Sequence, residues 1–198
     1  MDFPKREGIA SSRRTKVFEN ARFRVFADDI ADSRGNEVHN FLVVAPRNRT
    51  AGMLTGVLVI PVHEGQILFL DAYRHAIGKR VLEVPRGFID EGEEPPEAAL
   101  RELNEETGLV CEPGFLISLG VVQPDPGVLA ARVALFAATD CRSGGRRADD
   151  EIGIDTGIWI SIPETQRMLL DHEFEEASTC VALHRYFASI ETNTMTSR

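Results

Sequence analysis

The chain has 198 residues, 43% of them hydrophobic, enough apolar material for one well-filled core. Its 16 glycines and 10 prolines are ordinary usage, which excludes collagen-like and low-complexity chains. Asp and Glu outnumber Lys and Arg by 31 to 22, a net charge of -9; such a field repels phosphate backbones, so no nucleic-acid partner is expected.

The first stretch, to about Lys16, is polar and locally basic and reads as a mobile or strand-leading N-terminus. Strands are predicted at 21–27 and 37–44, separated by the turn-rich segment 32–36. A break at 46–50 divides a small N-terminal β unit, 1–49, from a main domain, 50–198. Segments 54–62 and 66–73 are β-rich and joined by His63-Glu-Gly65, a hairpin signal. A short strand at 81–84 leads into Pro85-Arg-Gly87. The clearest helix runs from Pro95 to Thr107, with prolines in its first turn and Gly108 suited to the left-handed position after its end. Ala99, Leu100 and Leu103 lie on its packing side.

Strands follow near 115–122 and 132–138, then a polar loop, 141–150, a last strand at 157–161, and helical patterns over 163–170 and 178–190. This order predicts mixed sheets covered by helices. The longest apolar run, 57–62, is too short for a bilayer span, and no apolar signal stretch follows Met1. Cys111, Cys141 and Cys180 are odd in number and widely spaced, which fits a reducing cytoplasm better than a disulfide framework.

Chemistry concentrates on the 95–107 helix. Glu102, Glu105 and Glu106 share one arc of it, beside the apolar face. Two carboxylates about 6 Å apart repel by roughly 3 kcal/mol at an effective dielectric of 20. Three, with Glu93 at the helix entrance, call for a cation, and hard divalent ions prefer such oxygen donors. A solvated acidic face is the competing reading. Against it, Arg101 is the helix's one cation, and two of the acids sit toward the end where the macrodipole disfavours them.

Read from Gly87, the spacing of Glu93, Arg101, Glu102, Leu103, Glu105, Glu106, Gly108 and Leu109 matches in full the signature Gly-x5-Glu-x7-Arg-Glu-U-x-Glu-Glu-x-Gly-U, with U aliphatic. The chain thus resembles the Nudix hydrolases; a chance match is on the order of one in ten million. The resemblance implies an α/β/α sandwich with mixed sheets, preceded by the small N-terminal β unit, and a Mg²⁺ ion (Mn²⁺ the alternative) held against a diphosphate. By position, Glu102 and Glu106 would be the principal ligands. Glu105 would share the shell or activate water, and the carbonyl of Arg86 would complete the set. Glu93 and Arg101 would support the loop, with Gly87 and Gly108 giving backbone freedom.

Tyr73-Arg74, Glu83-Val-Pro-Arg-Gly87 and Pro124-Asp-Pro-Gly127 look like the ADP-ribose pyrophosphatase branch, as does the N-terminal unit. That likeness implies a homodimer exchanging its N-terminal units. It places Arg74 on the substrate diphosphate, Glu83, Pro126 and Gly127 along the site, and a catalytic carboxylate in 148–152: Glu151, with Asp149 and Asp150 as competitors.

Two departures bear on specificity. Leu129-Ala-Ala131 stand where the branch usually has acids, and Arg86 stands where a small residue is common. The expected reaction is therefore hydrolysis of a nucleoside diphosphate derivative, foremost ADP-ribose to AMP and ribose 5-phosphate. Other ADP compounds or sugar nucleotides are alternatives, as is a non-catalytic sensing module. The five histidines show no metal spacing, and Trp159 is expected to pack in the core.

Overall fold

The computed structural model describes residues 8–50, 52–145, 147, 153, 154 and 157–196. Strands β1 (Ala10–Glu19), β2 (Phe23–Ala31) and β3 (Glu37–Pro46) form an antiparallel N-terminal sheet. The two strands expected here are present. The basic segment before them is a third strand rather than a loose leader. Every residue of β1 is exposed, so charge rather than apolar burial accompanies its ladder. Arg14 makes a two-pronged contact with the buried Asp28, Nη2 to Oδ2 at 2.6 Å, and Arg13 Nε lies 2.9 Å from Asp29.

The main sheet is built on β4 (Leu54–His63), which sends alternate side chains to opposite faces. Leu58, Ile60 and Val62 enter one apolar cluster, and Val57 and Val59 enter the other. β5 (Gln66–Arg74) and β10 (Arg132–Ala138) divide their residues in the same way. β4 and β5 join through a two-residue turn, with His63 opposite Gln66, as the hairpin signal implied.

β4 and β10 run parallel, whereas β9 (Leu116–Val122) and β12 (Ile158–Ser161) add antiparallel edges, so the sheet is mixed. The short strands β6 (Lys79–Glu83) and β7 (Arg86–Phe88) pair with β5 and β4 respectively. Helix α1 (Pro95–Thr107) covers one face; α2 (Ile162–Leu170) and α3 (Ala177–Thr196) cover the other. The result is an α/β/α sandwich. A two-stranded ribbon of β8 (Leu109–Val110) and β11 (Arg142–Ser143) closes the end beyond α1.

On α1, Ala98, Ala99 and Leu103 are buried, while Leu100 is only half-buried. The helix is rotated slightly from the expected packing face, and this rotation also buries Glu106. Trp159 packs partly on the α1-side cluster, its ring 6.0 Å from that of His63. Among the described residues no helix is long and apolar enough to cross a membrane.

Candidate active site

Helix α1 begins where Glu94 and Glu97 exchange side-chain-to-backbone bonds, with Pro95 filling a position that needs no donor. It ends at Gly108, whose φ of 71° returns the chain toward β8 without the Cβ clash another residue would meet. Between these ends, Arg101 is the hub. Its guanidinium grips Glu93 through Nε–Oε1 at 2.8 Å and Nη2–Oε2 at 2.9 Å, and Nη2 also donates to the Phe88 carbonyl at 2.8 Å. The third nitrogen, Nη1, donates to Glu102 at 2.8 Å and Glu105 at 2.9 Å. The Arg101 bond holds the Glu93 carboxyl below its ordinary range, and the carboxylates raise Arg101 in return.

The loop before the helix closes over these acids. An ideal Cβ on Gly87 would overlap the Glu102 carboxylate, so glycine is what leaves space for that group beside β7. The Arg86 amide donates to Glu106 Oε2 at 3.0 Å, tying the loop to the last acid of the row. The three carboxylates are therefore engaged differently. Glu102 and Glu105 meet on Arg101, while Glu106 is nearly buried and turned to the Arg86 backbone.

Among the described residues, no three acidic, histidine or cysteine side chains form a ready metal cage. An open set of hard oxygen donors suits Mg²⁺, which keeps several waters and shares its shell with substrate phosphates. Gly87, lacking a Cβ, lets the Glu102 carboxylate lie against the loop backbone, where its oxygens could join such a set.

A cleft of about 810 Å³ runs past this loop, lined among others by Gly87, Arg101, Glu102, Glu105, Arg74 and Arg86. Two of the cleft's arginines, Arg74 and Arg86, are held from behind by a carboxylate. Arg74 pairs with Glu83, which is fully buried, through Nε–Oε2 at 3.0 Å and a second, closer contact from Nη2. Arg86 Nη1 lies 2.9 Å from Glu176 Oε1. Glu176 also caps α3, accepting from the amides of Thr179 at 2.7 Å and Ser178 at 3.1 Å. Burial pushes the Glu176 carboxyl up, but the Arg86 charge and these amides outweigh it and leave the group below its ordinary range.

Glu176 was not apparent from sequence, and neither was the wall contributed by β2 and the turn before it. Phe23 meets Phe88 edge-on at 5.6 Å between centroids, Arg22 lies over the Phe88 ring at 5.5 Å, and both residues line the cleft. No local spacing signals such contacts, because the two sheets meet only in the folded chain.

Pro124 and Leu129 line the cleft, whereas Pro126 and Gly127 form the turn between them and do not. That turn is docked on β3: Val44 N donates to Val128 O at 2.9 Å, and Ala130 N to Val44 O at 2.9 Å. Glu151, with Asp149 and Asp150, lies outside the described residues. The described flanks of that segment are anchored. Gly145 N donates to Gly108 O at 3.0 Å beyond α1, and Tyr73 N donates to Gly153 O at 2.8 Å, next to Arg74.

Comparison with known proteins adds sequence and fold relationships. The family model described as NUDIX domain matches residues 53–183. The methanol dehydrogenase activator of Bacillus methanolicus is 29% identical over 175 residues, covering 85% of this chain and 86% of the relative. The ADP-ribose pyrophosphatase of Mycobacterium tuberculosis is 37% identical over 112 residues, spanning 55% of this chain and 53% of that protein. A crystal structure of an ADP compounds hydrolase superposes with a TM-score of 0.77 at 21% identity, covering 93% of this chain and 95% of its own, and shows a shared fold.

Proposed function

Starting from the chain's membership of the Nudix hydrolase family, we propose that it hydrolyses the diphosphate bridge of a nucleoside diphosphate derivative, foremost ADP-ribose, with Mg²⁺ as cofactor. The observation that carries this reading is the cleft itself. It brings two carboxylates of the acidic helix together with the guanidiniums of Arg74 and Arg86, each backed by its own glutamate. A metal-bound diphosphate needs both kinds of group at once.

Glu102, Glu105 and Glu106, with the Arg86 carbonyl, would hold Mg²⁺ or Mn²⁺. When bound, the ion polarises phosphate oxygens as a Lewis acid. The remaining work belongs to side chains. Arg74, kept extended by Glu83, binds the diphosphate and offsets charge as the bridging oxygen departs. The Arg86 guanidinium, oriented by Glu176, grips the same group. A carboxylate, Glu151 or Glu105, takes the proton of the attacking water as its oxygen bonds to phosphorus and the bridging P–O bond breaks. Glu93 and Arg101 keep the loop in register, and Pro126-Gly127 shape the turn that presents Pro124 and Leu129.

ADP-ribose as substrate is supported by the ADP-ribose pyrophosphatase relative of M. tuberculosis. One observation favours a broader range: Leu129 and Ala131 face the cleft with no acid among them. Other ADP compounds and sugar nucleotides form this second reading.

Incubation with Mg²⁺ and ADP-ribose, ADP-glucose, GDP-mannose or a dinucleotide, in heavy-oxygen water, separates the cases. The expected result is AMP and ribose 5-phosphate with one product labelled, and the highest kcat/KM on ADP-ribose. No product from any member of the panel would favour a sensing module.

We further propose that the 1–49 unit exchanges between two copies of the chain in the cytoplasm. Val17, Phe18, Val38 and Leu42 of its sheet are exposed, which supports a covering partner. Light scattering should give twice the chain mass; a monomer at micromolar concentration would sink this part.

A further inference from the structure

Two of the three cysteines, distant in sequence, meet in the fold. β8 and β11 pair antiparallel with Val110 opposite Arg142 and Leu109 opposite Ser143. Extending that register by one residue sets Cys111 directly across from Cys141. Antiparallel partners stand about 4.5–5.5 Å apart at Cα, inside the range of about 4.4–6.8 Å that a disulfide spans. The two thiols influence each other's titration as near neighbours do, with Cys141 inside the apolar cluster under α1 and Cys111 packed against it. Both are free thiols, Cys141 fully buried and Cys111 only half-buried.

We propose that Cys111 and Cys141 form an oxidation site: a dithiol that closes into an intramolecular disulfide under a peroxide, stapling residues 142–145 to the exit of α1. Cys111 is the sulfur an oxidant reaches. Its thiolate attacks hydrogen peroxide, becoming a sulfenic acid as the first water leaves. The Cys141 sulfur then displaces the hydroxyl, which departs with a proton as the second water. Two thiols give up two protons and two electrons, and the peroxide is reduced to two waters. Burial pushes both thiols up, Cys141 to about 12, so closure is slow and demands sustained oxidant.

The closed bond would reinforce contacts that already dock this segment. Gly145 N donates to Gly108 O at 3.0 Å, and Gly145 packs against the Asn104 side chain.

The test treats the full chain with hydrogen peroxide, blocks remaining thiols under denaturing conditions and maps the peptides. Titratable thiols should fall from three to one, with a dithiothreitol-reversible link between the Cys111 and Cys141 peptides. The melting temperature should rise by several degrees. Cys111→Ser, at the half-buried position, should remain folded and show neither link nor shift, while Cys180→Ser should still close. Links to Cys180, links between chains only, overoxidation of Cys111 beside an intact Cys141 thiol, or three surviving thiols would overturn the proposal.

Discussion

Glu102→Gln and Glu106→Gln should each yield a folded protein with turnover on ADP-ribose lowered by about 10³-fold at ordinary Mg²⁺. The size follows from what is removed. A metal ligand that loses its charge forfeits several kcal/mol of transition-state stabilisation, and about 4 kcal/mol is a thousandfold. The fold should survive because the amide keeps the shape of the acid. The Gln oxygen at 106 can still accept the Arg86 amide, now bonded at 3.0 Å, and at 102 it still fills the space beside Gly87. Steady-state rates over a Mg²⁺ titration, with circular dichroism melts alongside, check both halves. Near-normal rates in both variants would remove the metal assignment.

Arg101→Ala should act on stability. It deletes five hydrogen bonds that converge on one guanidinium and leaves Glu93, Glu102 and Glu105 crowded without their shared cation. Breaking a largely buried pair of this kind costs about 2–4 kcal/mol, which lowers the melting temperature by roughly 5–12 °C for a chain this size. The variant should also change the acid response. Arg101 depresses the Glu93 carboxyl in the folded state, so the stability from this pair is present above the ordinary carboxylate range. It is lost as pH falls through the lower, folded-state titration. Melts from neutral to acid pH should therefore show a shallower acid decline in Arg101→Ala than in the parent. Equal melting temperatures at neutral pH would show that the hub is not structural.

The contrast between these residues and others in the cleft explains what the amino-acid order reveals. Arg101, Glu102, Glu105 and Glu106 are neighbours on one helix, so their spacing is their geometry. β4 was equally readable, because an apolar run buried on both faces has few other uses. The partners of Arg86 and Phe88 were not readable. Glu176 reaches Arg86 from the cap of α3, and Phe23 reaches Phe88 from a different sheet. Only the chain's path brings them together. β1 is illegible for another reason: its exposed Ser, Arg, Thr and Lys residues carry no burial pattern, and the ion pairs that tie it to Asp28, Asp29, Arg24 and Arg47 form only once the strands are side by side. Cys111 and Cys141 looked unrelated until β8 and β11 set their register.

Phe23 and Arg22 face the cleft from a sheet that shares no ladder with the one carrying Gly87. Under the proposed function, this separates two evolutionary tasks. Drift at that aromatic-cationic edge would redirect which molecule is admitted, while the acid row and its hub stay untouched. Descendants of such an ancestor could diversify their diet of metabolites by rebuilding a hairpin, without having to reinvent the means of breaking the bond.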